Sequence, residues 1–126
     1  MMEITKAIDE MRKIEFFQSP SVRIFPIHSS LSTSEQTAVF EIPEEGIRKI
    51  VVATNIAESS ITIEDVIYVV DTGRVKENRK DEINETPALV ETWVSRASAT
   101  QRRGRAGRVK PGIAYHFYSR YGMLVL

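Results

Sequence analysis

The chain has 126 residues, 42% hydrophobic and 27% charged, with no cysteine and a formal net charge of zero. These totals fit one ordinary globular domain able to bury a core, and they exclude disulfide frameworks and thiolate metal sites. No apolar run approaches the roughly 20 residues of a membrane helix, and the opening MMEITKAIDEMRK holds no signal-like stretch. A reducing, intracellular setting without a membrane partner is therefore expected. The neutral total conceals an uneven distribution. Glu91 is the last carboxylate side chain, and Arg96, Arg102, Arg103, Arg105, Arg108, Lys110 and Arg120 all follow it. A local surplus of this kind attracts polyanions such as phosphates, although a solvated basic face is the commoner meaning.

Ile4, Ala7, Ile8, Met11, Ile14 and Phe17 recur at three- and four-residue steps, which predicts an amphipathic helix ending at Ser19-Pro20. VRIFPI, residues 22–27, reads as a short strand stopped early by Pro26. Ser32 followed by Glu35 has capping-box spacing and predicts a brief helix to about Phe40. After the Pro43 to Gly46 turn, IRKIVVAT reads as a buried strand, and VIYVVD is a second such run beyond the polar insert NIAESSITIED. Two apolar strands separated by turn and helix material predict an α/β parallel sheet. Residues 74–95 carry charge at their centre and alternate at their flanks, which predicts a projecting hairpin with its tip near Lys80 to Glu85. SRASATQRRGRAG reads as a small-residue helix terminated by Gly107, and GIAYHFY as a closing strand.

QRRGRAGR, residues 101–108, packs Arg102, Arg103, Arg105 and Arg108 around Gly104 and Gly107. If residues 97–106 are helical, Gln101, Arg105 and Arg108 project along one side while Arg102 and Arg103 point elsewhere. The glycines leave room for a ligand or another backbone. Guanidinium forks suit phosphate oxygens because they are planar, bidentate and permanently charged. The bland alternative is an arginine-rich turn paired with carboxylates or solvent, the ordinary fate of an isolated RxGR.

The longer pattern points further. QRRGRAGR resembles motif VI of superfamily 2 helicases; VVATNIAESSITIEDVIYVVDTG, residues 51–73, is similar to motif V and its extension in the DEAH-box (DEAH/RHA) helicases; and PIHSSLSTSEQTAVF, residues 26–40, looks like their motif IV region. The resemblance covers nearly the whole chain in the right order. It implies the second RecA-like domain of an ATP-dependent RNA helicase: a P-loop-NTPase-like parallel sheet flanked by helices, with a projecting β-hairpin. It implies ATP with Mg²⁺, held mainly by a first RecA-like domain supplied in cis or in trans, and an intracellular place in cytoplasm or nucleus. By position, Arg108 corresponds to the arginine finger, Arg105 to a second phosphate contact and Gln101 to a partner of the attacking water. Phe40 aligns with the family's adenine-stacking phenylalanine, though a core residue closing a short helix is an equal reading. Ser60 and Thr62 align with nucleotide-sensing positions, as does Glu64, where the family usually has aspartate; Ser59 stands in place of the usual threonine. Thr54 and Asn55 align with contacts to the RNA backbone, and Ser29 and Ser30 with contacts to phosphate or ribose.

The hairpin corresponds to the family's strand-separating hairpin. Trp93 is either its functional aromatic or simply packed. His28 and His116 have no metal-ligand company and are read as structural or incidental.

None of the 126 residues forms the G-x-x-x-x-G-K-[ST] phosphate loop. Asp71 at the end of VIYVVD imitates a Walker B position, but without that loop a Mg²⁺ role is rejected, and DEIN at 81–84 is no DEAH box. Relative to the family the chain is short at both ends, which leads to the expectation of a fragment that does not hydrolyse ATP alone. A non-catalytic RNA- or protein-binding module derived from a helicase is the alternative, and DNA remains open as the nucleic acid.

Overall fold

The structure is a computed structural model that describes residues 2–28, 31–59, 61–80, 87–108 and 110–117. The chain divides into two compact units, Met1–Glu64 and Asp65–Leu126. In the first, α1 (Met2–Arg12) buries Ile4 and Ile8 and exposes its charged residues, with Glu3 in the first turn and Arg12 in the last. That charge order complements the helix dipole. The predicted helix does not run on to Phe17. It ends at Arg12, Ile14 adopts an extended conformation, and a single turn, α2 (Glu15–Gln18), follows. The Gln18 side chain donates to the open Arg12 carbonyl at 2.9 Å, which satisfies a group that an unbroken helix would have paired internally. The break turns Ile14 outward, leaving it 54% exposed.

β1 (Val22–Ile27) pairs in parallel with β2 (Arg48–Ala53), from Val22 opposite Arg48 to Ile27 opposite Ala53. The strand does not stop at Pro26, contrary to the expectation, and the alternation of the ladder explains why. Ser21 and Ile27 accept hydrogen bonds from Arg48 and Thr54, so the odd-numbered residues direct their backbone groups toward β2. Pro26 is out of phase, and its missing N–H falls on the side away from the partner. Between these strands lies α3 (Thr33–Phe40), entered through the capping box: the Ser32 hydroxyl accepts from the Glu35 N–H at 3.4 Å and the Glu35 carboxylate accepts from the Ser32 N–H at 2.9 Å. At the other end Lys49 donates to the carbonyls of Val39 and Glu41. Val39, fully buried, points into the core with Ile27. Phe40 is 44% exposed, which removes the core reading of that residue. The short α4 (Ile56–Ser59) completes the unit.

In the second unit β3 (Tyr68–Asp71) pairs in parallel with β6 (Ile113–His116). Between them run the antiparallel hairpin strands β4 (Arg74–Lys80) and β5 (Pro87–Trp93), in register from Arg74 opposite Trp93 to Lys80 opposite Pro87, and the helix α5 (Arg96–Arg103). The predicted hairpin tip falls largely at 81–86, outside the described residues. Strand alternation sorts β3 and β6 cleanly. Val69, Asp71, Ala114 and His116 lie on one face; Tyr68, Val70, Ile113, Tyr115 and Phe117 lie on the other, each at least 49% exposed. Parallel sheets ordinarily bury both faces, and among the described residues nothing covers this one.

The Ser32 N–H and hydroxyl hold the Glu35 carboxyl below its ordinary pKa of 4.5, helped by the charge of His28. A carboxyl lowered in this way stabilises the folded chain above its ordinary pKa and loses that contribution as pH falls through the folded-state value. Glu35→Gln should therefore melt below the parent chain at neutral pH, with the gap closing as pH drops from 4.5 downward. Thermal melts across a pH series check this.

Candidate functional site

The arginine segment begins in α5, which the Ser95 hydroxyl caps by accepting from the Ser98 N–H at 3.1 Å. Small residues let the helix lie close to its neighbours, and Ala99 is 3% exposed. The helix stops at Arg103, before Gly107, with Gly104 as its C-cap. Beyond it the Arg105 N–H donates to the Arg102 carbonyl and the Ala106 N–H to that of Arg103, in successive three-residue turns. The expectation of a helix over 97–106 therefore fails past 103. Any convergence of Gln101, Arg105 and Arg108 depends on this turn and not on helical periodicity. Gly107, at φ +82°, takes a backbone conformation that side chains disfavour, and its N–H donates to the Val66 carbonyl at 3.4 Å. A closer approach than at Gly104 or Gly107 lies at Gly112, which sequence reasoning missed. A Cβ there would sit 2.6 Å from the Ile67 carbonyl oxygen and 2.8 Å from both the Ala106 Cβ and the Gly107 nitrogen. The arginine turn is thus pressed onto the residues leading into β3.

The four arginines separate into different chemical situations. Arg102 turns inward: its Nη1 donates to Asp71 Oδ1 at 2.8 Å and its Nη2 to the Arg74 carbonyl at 3.1 Å. Asp71 is a buried carboxylate, 3% exposed, whose Oδ1 also accepts from the Gly73 N–H at 2.9 Å and whose Oδ2 lies 3.2 Å from His116 Nδ1. These partners compensate for removing the charge from water. They also explain the two residues that sequence reasoning set aside: the Asp71 side chain engages both His116 and Arg102. Arg105 and Arg108 differ. Among the described residues neither pairs with a carboxylate, and Arg105 Nε is buried without a hydrogen-bond partner. Gln101 and Arg108 are exposed and Arg105 is half-buried. Arg105 and Arg108 thus carry guanidinium charge that no carboxylate of the described residues neutralises.

In the first unit, Thr54 and Asn55 lie just past the carboxyl end of β2, where ligands of α/β sheets are ordinarily met. The Thr54 N–H donates to the Ile27 carbonyl at 3.2 Å and its Oγ1 accepts from the Ile56 N–H at 3.4 Å, which fixes the bend into α4. Phe40 belongs to the opposite end of the strand pair, since the neighbouring Val39 and Glu41 carbonyls are held by Lys49 near the start of β2. The structure thus keeps the expected adenine contact apart from the expected RNA contacts. Thr62 and Glu64 flank buried Ile63, and both are exposed. Ser29, Ser30 and Ser60 lie outside the described residues.

A parallel strand pair in each unit, with helices in the connections, is the make-up of a RecA-like α/β domain. The sequence matches the helicase conserved C-terminal domain over residues 1–110, and the chain belongs to that family, in its DEAH/RHA branch. It is 57% identical over 99 residues to the DExH-box ATP-dependent RNA helicase DExH3 of Arabidopsis thaliana, a match covering 79% of this chain and 8% of that protein. Identity to the human ATP-dependent RNA helicase DHX29 is 48% over 120 residues, covering 95% of this chain and 9% of the relative. The crystal structure of the Escherichia coli DEAH/RHA helicase HrpB superposes with a TM-score of 0.88 at 35% identity, over 99% of this chain and 16% of that one. The chain therefore spans a small part of the proteins it matches.

Two substitutions test the site's construction by chemical denaturation. Arg102→Ala removes the guanidinium from the buried carboxylate and should cost about 3 kcal/mol, the low end for breaking a buried pair because Gly73 and His116 remain. Gly112→Ala drives a methyl group into fixed backbone and should cost about 1–3 kcal/mol. Arg103→Ala, on an exposed residue, should stay within about 0.5 kcal/mol of the parent.

Proposed function

We propose that this chain acts as the second RecA-like domain of a DEAH-type ATP-dependent RNA helicase, offering Gln101, Arg105 and Arg108 to the terminal phosphates of an ATP held mainly by a first RecA-like domain. The observation that carries this reading is the contrast among neighbouring arginines: Arg102 is engaged by Asp71, whereas Arg105 and Arg108 have no carboxylate partner among the described residues. Carboxylate pairing within the fold thus accounts for Arg102, while Arg103 and Arg108 are exposed to solvent. The donor set left over fits a polyphosphate. It does not supply metal ligands, because the Asp71 oxygens already face Arg102, Gly73 and His116, so Mg²⁺ falls to the first domain. Bound between two such domains, ATP supplies a transferable phosphoryl group whose developing negative charge needs fixed positive partners.

Within this scheme Arg108 reaches the terminal phosphate as the arginine finger, Arg105 holds a second oxygen, and Gln101 orients the attacking water. Phe40 stacks on the adenine, and its exposure favours that role. Ser60, Thr62 and Glu64 follow the nucleotide's state from the segment after α4. Thr54 and Asn55, beyond the carboxyl end of β2, contact the nucleic-acid backbone, as do Ser29 and Ser30, and the β4–β5 hairpin meets the strand to be separated. Lacking the phosphate-binding loop, the chain does not hydrolyse ATP alone.

Mixing the chain with a first RecA-like domain of a DExH-box relative should restore RNA-stimulated ATPase activity. Arg108→Ala should then lower kcat by about 10³- to 10⁵-fold, the range seen when a supplied arginine is removed. Restored activity that is indifferent to Arg108→Ala would overturn the assignment. RNA binding with no dependence on nucleotide would instead identify a non-catalytic binding module.

A further inference from the structure

The arginine turn and the hairpin are separate elements in sequence, yet a short chain of contacts joins them. The Arg105 N–H donates to the Arg102 carbonyl at 3.2 Å. The Arg102 guanidinium spans two elements at once, reaching the buried Asp71 carboxylate at the end of β3 with one nitrogen and the Arg74 carbonyl at the start of β4 with the other. The Asp71 carboxylate in turn holds the Gly73 N–H, and the Gly73 carbonyl accepts from the Val94 N–H at 2.8 Å where β5 ends. Across the hairpin base the Arg74 guanidinium stacks over the Trp93 ring at 4.6 Å from its centroid. All of these links but the last use a backbone group or the buried Asp71 carboxylate; the Arg74–Trp93 stack joins two exposed side chains.

We propose that Asp71 and Arg102 are a positioning pair that makes the arginine turn and the hairpin base one mechanical unit, so that a shift of the turn on meeting phosphate is carried to the hairpin. This rests on the reading that residues 101–108 face a polyphosphate. Stability by itself is a poor reason for such a pair, because well-packed apolar residues of similar volume generally serve as well as a buried ion pair. What the pair adds is direction. A guanidinium fork has two donors at fixed geometry and can hold a carboxylate and a carbonyl simultaneously, whereas a lysine ammonium is a point charge on a flexible stem. Arg102 is thus a positioning residue, one turn away from the groups that touch phosphate. Asp71 is the anchor it works against.

The chain contains a single tryptophan, Trp93, so its emission reports the hairpin base alone. The test uses the full chain and two conservative variants, Arg102→Lys and Asp71→Asn, with far-UV circular dichroism to confirm that each is folded. In Arg102→Lys the amides of Val94 and Arg105 should both exchange about tenfold faster or more, as expected on losing a hydrogen bond to a charged group. Trp93 emission should shift with them. Asp71→Asn should give the same paired effect, and the double variant should add little to either single one. In the unmodified chain the two amides should exchange through one shared opening, which needs no variant to survive.

Exchange that rises at one amide while the other and Trp93 stay unchanged would overturn the positioning pair, as would fully additive effects. Inorganic tripolyphosphate supplies the second arm. Added to the parent chain it should slow exchange at Arg105 and shift Trp93 emission; in Arg102→Lys the first response should remain and the second be lost. If tripolyphosphate leaves the parent chain's Arg105 amide unchanged, the phosphate reading of the turn fails, and the paired exchange still decides the role of Asp71 and Arg102.

Discussion

One buried carboxylate organises the second half of this chain. Asp71 ends β3, and Arg102, Gly73 and His116 meet it from three elements, offsetting the removal of its charge from water. Each partner belongs to a different element: α5, the bend into the hairpin, and β6. Satisfying a single ion therefore fixes the helix that begins the arginine segment, the root of the hairpin and the closing strand in relation to one another. Loss of one partner leaves the buried charge less fully compensated and loosens the element that carried it.

The same demand for local satisfaction sets the neighbouring backbone. Gly112 comes so close to Ile67, Ala106 and Gly107 that no side chain fits, and Gly107 takes a left-handed conformation while donating to Val66. The turn bearing Arg105 and Arg108 is thereby held by backbone contacts on one side and by Arg102 on the other. Such a turn can present positive charge without spending it on the fold. In the first unit the logic differs. Capping at both ends of α3, by Ser32 with Glu35 and by Lys49, leaves Phe40 outward at one end of the β1–β2 pair, while Thr54 bends the chain away from the other.

Much of this was legible in the residues. Hydrophobic period located α1, β1, β2, β3 and β6, and the Ser32 to Glu35 spacing located α3 with its cap. Motifs matching the DEAH/RHA helicases identified the family that the comparisons then established. The failures were of one kind. Periodicity carried α1 on through Ile14 and Phe17, but the Gln18 side chain capped an earlier end. A helical reading of residues 97–106 placed Gln101, Arg105 and Arg108 on one face, but the helix closed at Arg103. Pro26 suggested a strand stop, yet ladder phase made its missing donor harmless.

Sequence by itself determined the class of domain, the family and the local caps, because these depend on residue types a few positions apart and on short ordered motifs. Tertiary structure alone decided which arginine is consumed inside and which stay available. Arg102 meets its carboxylate 31 positions away, and His116 meets the same group across 45. No spacing rule sees such a partner, since the gain comes from burying a charge that only the assembled strands and helix enclose.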